Sequence, residues 1–281
     1  MVEWIHTFGL PRTVSGYTSF MATAPIPAVY PATATSQDHA SVREERSLVR
    51  SFSWRIVAST TVIVLSFIAL GKLLVGPLKA SSLMRWDERV VATISHHRTP
   101  GLNSFTLFFS KLADAPSIVA FGTVVALILV MQRKWRAAGV VPVVLIFELV
   151  TFLAVTYPVH RKRPDVVHLG SVPSTGSFPS GHVAATIVLF GLIGLLLFYS
   201  RASAALLLPF AAMVLFVVIA VGWSRVYRGM HHPIDVVAGA AMGSAVLGVF
   251  RPLIREVVSF YRPTTPFSSH PATNPTTETE L

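Results

Sequence analysis

Apolar residues fall along this chain in long unbroken runs rather than at the spacing of one helix face. Six runs stand out, at about 54–78, 116–132, 137–157, 182–200, 203–223 and 234–252. Each is close to the roughly 20 residues that a helix needs to cross the hydrocarbon core of a bilayer. The pattern predicts an all-α fold, a six-span transmembrane helical bundle. Residues 79–115 follow a different rule. Met84, Trp86, Val90, Val91 and Ile94 alternate with Arg85, Asp87, Glu88 and Arg89 at helical spacing. That alternation predicts an interfacial amphipathic helix between spans one and two. The turn Thr99-Pro100-Gly101 follows, and Phe105 to Phe109 read as a second interfacial segment.

The ends of the chain break the pattern. Residues 1–50 are rich in Ala, Thr, Ser and Pro, and 263–281 in Pro, Thr and Ser. Such segments cannot bury enough apolar surface to offset the entropy of ordering them. Disordered tails are expected at 1–50 and 263–281, with a six-span domain over 51–262. Met1 to Gln37 lacks a basic start followed by an unbroken apolar core. The first span is therefore expected to act as an uncleaved anchor.

Composition agrees with the pattern: 52% of residues are hydrophobic and 13% charged, and mean hydropathy is +0.61, which excludes an ordinary soluble domain. The chain contains no cysteine, excluding disulfides, thiolate nucleophiles and cysteine-ligated metals. A net charge of +10 could suit nucleic acid. The basic residues, however, sit at the ends of apolar runs and in one loop cluster, so no nucleic-acid partner is expected. Six spans put both termini on one side. Arg43 to Arg55, Arg133 to Arg136, Arg201, Arg251, Arg255 and Arg262 all fall there. The positive-inside rule then predicts a multi-pass cell-membrane protein with cytoplasmic termini.

On the opposite, extracytoplasmic face the spans bring together three polar clusters: His160 to Asp165, Ser177 to His182, and Ser224 to Asp235. Ser180 and Gly181 precede a helix whose first N–H groups have no internal partners, a natural anion site. Glycine there would let a ligand approach the backbone. Arg163 and Arg225 offer planar forks that suit phosphate oxygens. Asp235 lies four residues after His231, so its carboxylate could accept from one imidazole nitrogen and leave the other free to attack. His182 could protonate a leaving oxygen and later activate water. Taken together these features point to phosphate binding or phosphate-ester chemistry. Arg228 reads as a surface charge, His97 and His168 as solvated loop residues, and His232 has no assigned task.

These clusters resemble the motifs of the type 2 phosphatidic acid phosphatases, which are related to vanadium haloperoxidases. Ser224-Arg225, His231 and Asp235 match the last motif at every fixed position, and Pro179-Ser180-Gly181-His182 match the middle one. Arg163-Pro164 match the end of the first motif, but Thr156 stands at its lysine. The resemblance covers about 116–250. It implies that His231 forms a phosphohistidine with Asp235 orienting it, and that His182 serves as general acid and then base. Arg163, Arg225, Ser180 and Gly181 would hold the phosphoryl oxygens. It also implies that no metal or other cofactor is needed. Thr156 can hydrogen-bond but brings no charge, and Arg161 or Lys162 are candidates to replace the missing cation. The implied substrates are membrane lipid phosphates: a polyprenyl diphosphate first, then phosphatidic acid or phosphatidylglycerol phosphate. A phosphotransferase and a degenerate lipid-phosphate binder are the alternatives. Oligomeric state is not legible. Glu148, mid-span, matches no motif position, and intramembrane carboxylates are costly enough to mark either a function or a structural hydrogen bond.

Overall fold

The computed structural model describes the fold of residues 36–261 and the side chains of 54–261. Eight helices and no strand occur among the described residues: α1 (Ser36–Val75), α2 (Ser82–His96), α3 (Pro100–Leu112), α4 (Ala115–Met131), α5 (Trp135–Val159), α6 (Gly181–Tyr199), α7 (Ala204–Tyr227) and α8 (Pro233–Ser259). Helix α1 begins at Ser36, inside the segment expected to be disordered, because a helix-compatible charged stretch runs without a break into the first apolar run. Residues 1–35 and the C-terminal tail, both expected to be disordered, lie outside the described residues.

Five helices are long and apolar enough to cross a membrane, α1 from Trp54 and α5 to α8. Helices α3 and α4, a pair bent by 53° at a short break, are together long and apolar enough to count as a sixth, broken span. The sequence reading assigned α3 to the interface because its apolar run is too short to cross alone. It instead packs on α7, with Phe109 edge-on to Phe216 at 5.6 Å, and Ser224 donates a 2.6 Å bond to the Thr106 carbonyl. Small residues flank Asp114 on both sides at the break, Ala113 before it and Ala115 after it.

The core is a stack of aliphatic side chains from α5, α6 and α8, with Val144, Val188, Leu192, Val246 and Ile254 fully buried. Helices α6 and α8 are in unusually close contact. A Cβ at Gly239 would overlap the Ser180 carbonyl, and one at Gly243 would stand 2.7 Å from the Ala184 carbonyl. Small residues at this spacing let two backbones approach in a medium where apolar burial alone does not drive helix pairing. The contact fixes the start of α6 against the start of α8.

Helix α2 is not the simple surface helix its pattern suggested. Asp87 is completely buried. Its Oδ1 accepts from the Ile234 backbone N–H at 3.0 Å, so α2 is tied to the first turn of α8.

Candidate active site

The C-terminal ends of α5 and α7 and the N-terminal ends of α6 and α8 meet at one end of the bundle, where the three polar clusters converge. A cavity of about 310 Å³ opens there. Its head is polar, with Arg163, His182, Arg225 and His231. Its body is apolar, with Ile118 and Val119 from α4 and Leu145, Leu149 and Phe152 from α5.

His231 sits in the turn after α7, which Gly229 permits by adopting φ +74°, a left-handed conformation. The ring is 3% exposed. Its Nδ1 lies 2.6 Å from the Ser177 carbonyl. A carbonyl can only accept, so Nδ1 carries the proton and Nε2 the lone pair. Burial, then the positive charges of Arg225 and Arg163, hold this imidazole well below the usual histidine range. The ring is thus neutral and oriented, the state a nitrogen nucleophile requires.

The expected bond from His231 to Asp235 is replaced by the one to Ser177: Asp235 Oδ2 stands 3.9 Å from Nδ1. The carboxylate is occupied elsewhere. It accepts from the His232 backbone N–H at 2.9 Å, closing the first turn of its own helix, and lies 3.2 Å from the His232 ring. It also pairs with Arg161. Arg161 in turn reaches Asp87 at 2.6 Å. Burial works against the Arg161 charge, but the two carboxylates raise its pKa above the ordinary value. Its guanidinium therefore belongs to a buried ion-pair network behind the nucleophile and does not line the cavity. Lys162 is exposed and does not line it either. Neither replaces the missing lysine. Thr156 is fully buried, and its hydroxyl reaches the Gly176 carbonyl at 3.5 Å, bracing the loop that carries Ser177.

His232, unassigned by sequence, lies in the same network, with Nε2 at 2.7 Å from Glu88. Arg228, read as a surface charge, is 8% exposed and donates to the carbonyls of Leu169 and Asn103. His97 is exposed as expected; His168 is half-buried.

Arg163 and Arg225 stand on the cavity from opposite sides. Arg163 donates to the Met230 carbonyl at 2.6 Å and to the Thr175 and Gly176 carbonyls at 3.3 and 3.4 Å. Burial lowers its pKa, but Asp235 opposes the shift and the group stays far above neutrality. Arg225 donates to Ser110 Oγ at 2.7 Å. The Nε of each arginine and Ser180 Oγ are buried without a protein partner. Both arginines line the cavity and offer unpaired N–H groups suited to anion oxygens, whereas Ser180, fully buried, does not line it. Gly181 has a second task beyond ligand approach. A Cβ there would meet the Phe152 ring at 3.0 Å, so its small size lets α6 seat against α5.

Two residues at the cavity lie outside every motif. Asp114, at the break between α3 and α4, places Oδ1 2.9 Å from His182 Nε2, and Oδ2 3.0 Å from Lys111 Nζ. Glu148 is 4% exposed, and its Oε1 has no partner. A lone acid in a short loop ahead of an apolar run was the available signal for Asp114. It reads equally as an ordinary helix cap.

The bundle carries the three polar clusters at one end, with the cavity beneath them. The PAP2 superfamily model matches residues 143–258, from α5 to the end of α8. An undecaprenyl-diphosphatase of Sulfolobus acidocaldarius is 29% identical over 156 residues, 54% of this chain and 70% of that protein. Among solved structures, the PAP2-type phosphatidylglycerolphosphate phosphatase of Bacillus subtilis superposes with a TM-score of 0.56 at 22% identity. The match covers 71% of this chain and 97% of that one and concerns the fold.

Proposed function

We propose that this protein hydrolyses a membrane lipid phosphate through a phosphohistidine on His231, without a metal ion. The observation that carries the reading is the orientation of His231. Its Nδ1–H is held by the Ser177 carbonyl, and Nε2 is free at the head of a cavity that also holds Arg163 and Arg225.

Nε2 of His231 attacks phosphorus. The bond from phosphorus to the leaving oxygen breaks, and that oxygen (the lipid oxygen of a monoester or the bridging oxygen of a diphosphate, which leaves as the lipid monophosphate) takes a proton from His182. His182 then removes a proton from water, whose oxygen attacks phosphorus as the P–N bond breaks and inorganic phosphate leaves. Charge spreads over the equatorial oxygens during both steps, so positioned cations supply most of the catalysis. Arg163 and Arg225 are those cations. Asp235 supports the nucleophile indirectly: it caps α8 and anchors Arg161, keeping the His231 loop in place.

The apolar body of the cavity suits an acyl or prenyl chain with its head group at the loops. A polyprenyl diphosphate ranks first, supported by the activity named for the Sulfolobus relative. Phosphatidic acid and phosphatidylglycerol phosphate follow. The charge distribution along the chain supports cytoplasmic termini and an extracytoplasmic site.

Purified protein, given a panel of lipid phosphates in EDTA, is expected to release inorganic phosphate, and His231→Ala is expected to abolish release. Metal-dependent release, or release that survives the substitution, would overturn the mechanism. Transfer of phosphate to a second lipid in place of release would make the protein a phosphotransferase.

A further inference from the structure

We propose that Asp114 is a positioning residue for the general acid: from the bend between α3 and α4, its carboxylate orients the His182 ring and supplies a counter-charge when that ring carries the proton it gives to the leaving oxygen. The proposal rests on the phosphohistidine reading above and adds a residue that none of the three motifs contains.

Asp114 does not act as the helix cap its position suggests. It occupies the N-cap of α4, where an aspartate usually accepts from the N–H groups of the first turn. Here the side chain makes no capping bond. It turns to His182 Nε2 at 2.9 Å instead, with Lys111 fixing its other oxygen at 3.0 Å. A continuous helix through this point would need no break; the 53° bend is what sets the carboxylate at the edge of the cavity, between two residues that line it, Ala113 and Ala115.

His182 needs such a partner. Arg225 from α7 and Arg163 from the loop before α6 face the same cavity, as does the neutral ring of His231 from the turn before α8. Both arginines disfavour a further positive charge on His182. Glu148 of α5 lines the cavity too. Asp235, at the start of α8, has its carboxylate committed to Arg161 and His232. Among these groups, Asp114 alone has a carboxylate oxygen within hydrogen-bond distance of the His182 ring.

A carboxylate accepts, so Nε2 of His182 keeps its proton on Asp114. The proton delivered to the leaving oxygen is then the second one of the imidazolium, on Nδ1. In the hydrolytic half-reaction the neutral Nδ1 takes a proton from water. The imidazolium that re-forms is again held by Asp114. Atoms and charge balance over the cycle, with the Nε2–H bond kept throughout.

The test compares Asp114→Asn with wild type on two phosphate esters. One is a lipid alkyl phosphate, whose leaving oxygen must be protonated. The other is p-nitrophenyl phosphate, whose leaving group departs readily as an anion. On the lipid, kcat is expected to fall about 10- to 100-fold with KM little changed. The alkaline limb of the pH–rate profile is expected to move down by roughly one pH unit or more, as the imidazolium loses its counter-charge. On the aryl ester the loss should stay within about threefold, since general-acid help is worth little there. Asp114→Glu keeps the charge and should recover part of the lipid activity, which keeps the proposal testable if the asparagine variant folds poorly. In a His182→Ala background, Asp114→Asn should add no further loss. Equal losses on both esters, or an unmoved alkaline limb, would assign Asp114 a purely structural role. Failure of the wild type to release phosphate, or activity in His231→Ala, would instead sink the underlying reading and leave the Asp114–His182 pair unassigned.

Discussion

Two histidines face one cavity, and they are held in opposite ways. His231 donates Nδ1–H to a neutral backbone carbonyl, whereas His182 donates Nε2–H to a carboxylate. The first is 3% exposed beside two arginines; the second stands at the bend of a helix pair with Asp114 and Lys111. A carbonyl orients a ring without compensating a charge on it, which suits the nucleophile proposed at His231. A carboxylate orients the ring and offers a counter-charge, which suits the acid proposed at His182. On this reading the partner, rather than the residue type, divides the labour.

This contrast can be broken at several points. Removing the nucleophile should do most: His231→Ala is expected to lower kcat by about 10⁴-fold or more on any ester, read as phosphate release, since no other group can form the intermediate. Removing the proton donor should cost less, about 10²- to 10⁴-fold for His182→Ala on a lipid phosphate. Arg225→Lys keeps a positive charge but loses the fork, and a fall of roughly 10²-fold in kcat is expected from the loss of one transition-state donor.

The pH response sharpens the comparison further. His231 must be neutral to attack, and its pKa lies well below the usual value of about 6.5. The acid limb of kcat/KM should therefore fall well under pH 6.5. Arg163→Gln removes one of the charges that depress His231 and should move that limb upward, in whatever activity remains. The smallest kinetic effect is expected behind the nucleophile. Asp87→Asn leaves the cavity untouched but deprives buried Arg161 of a partner, which costs about 3–5 kcal/mol of stability in comparable cases. A thermal melt in detergent should show the loss, with kcat of the folded fraction changed far less.

The spans were legible because a run of some 20 apolar residues has few other uses. Span two was legible only in part: the run 116–132 is α4, whereas α3, on the other side of the break at Asp114, read as an interfacial segment. The three clusters were legible through residue order and spacing, and the structure brings Arg163, His182, Arg225 and His231 to one cavity. Their supports were not. The partner of His231 is a main-chain oxygen, which leaves no mark in a sequence. Asp235 was assigned to His231 from spacing alone, but the same spacing also closes a helix start, and that is where its carboxylate goes. Asp87 and Glu88 looked like the wet side of an interfacial helix. Asp87 turns inward to pair with Arg161, and Glu88, itself exposed, reaches the buried ring of His232. An acid-bearing helix in a chain otherwise so poor in acid was the clue.

The close approach at Gly239 bears on how this enzyme can vary. The Ser180 N–H donates to the Asp235 carbonyl at 2.9 Å, while the Ser180 carbonyl lies against the bare Cα of Gly239. The start of α6 and the start of α8 are thereby gauged against each other through backbone atoms. Side chains on the lipid-facing surfaces can drift without altering that spacing. One methyl group added at position 239 would push the Ser180 carbonyl, and with it the start of α6, away from α8. The spacing between the segments that carry His182 and His231 hangs on a hydrogen atom.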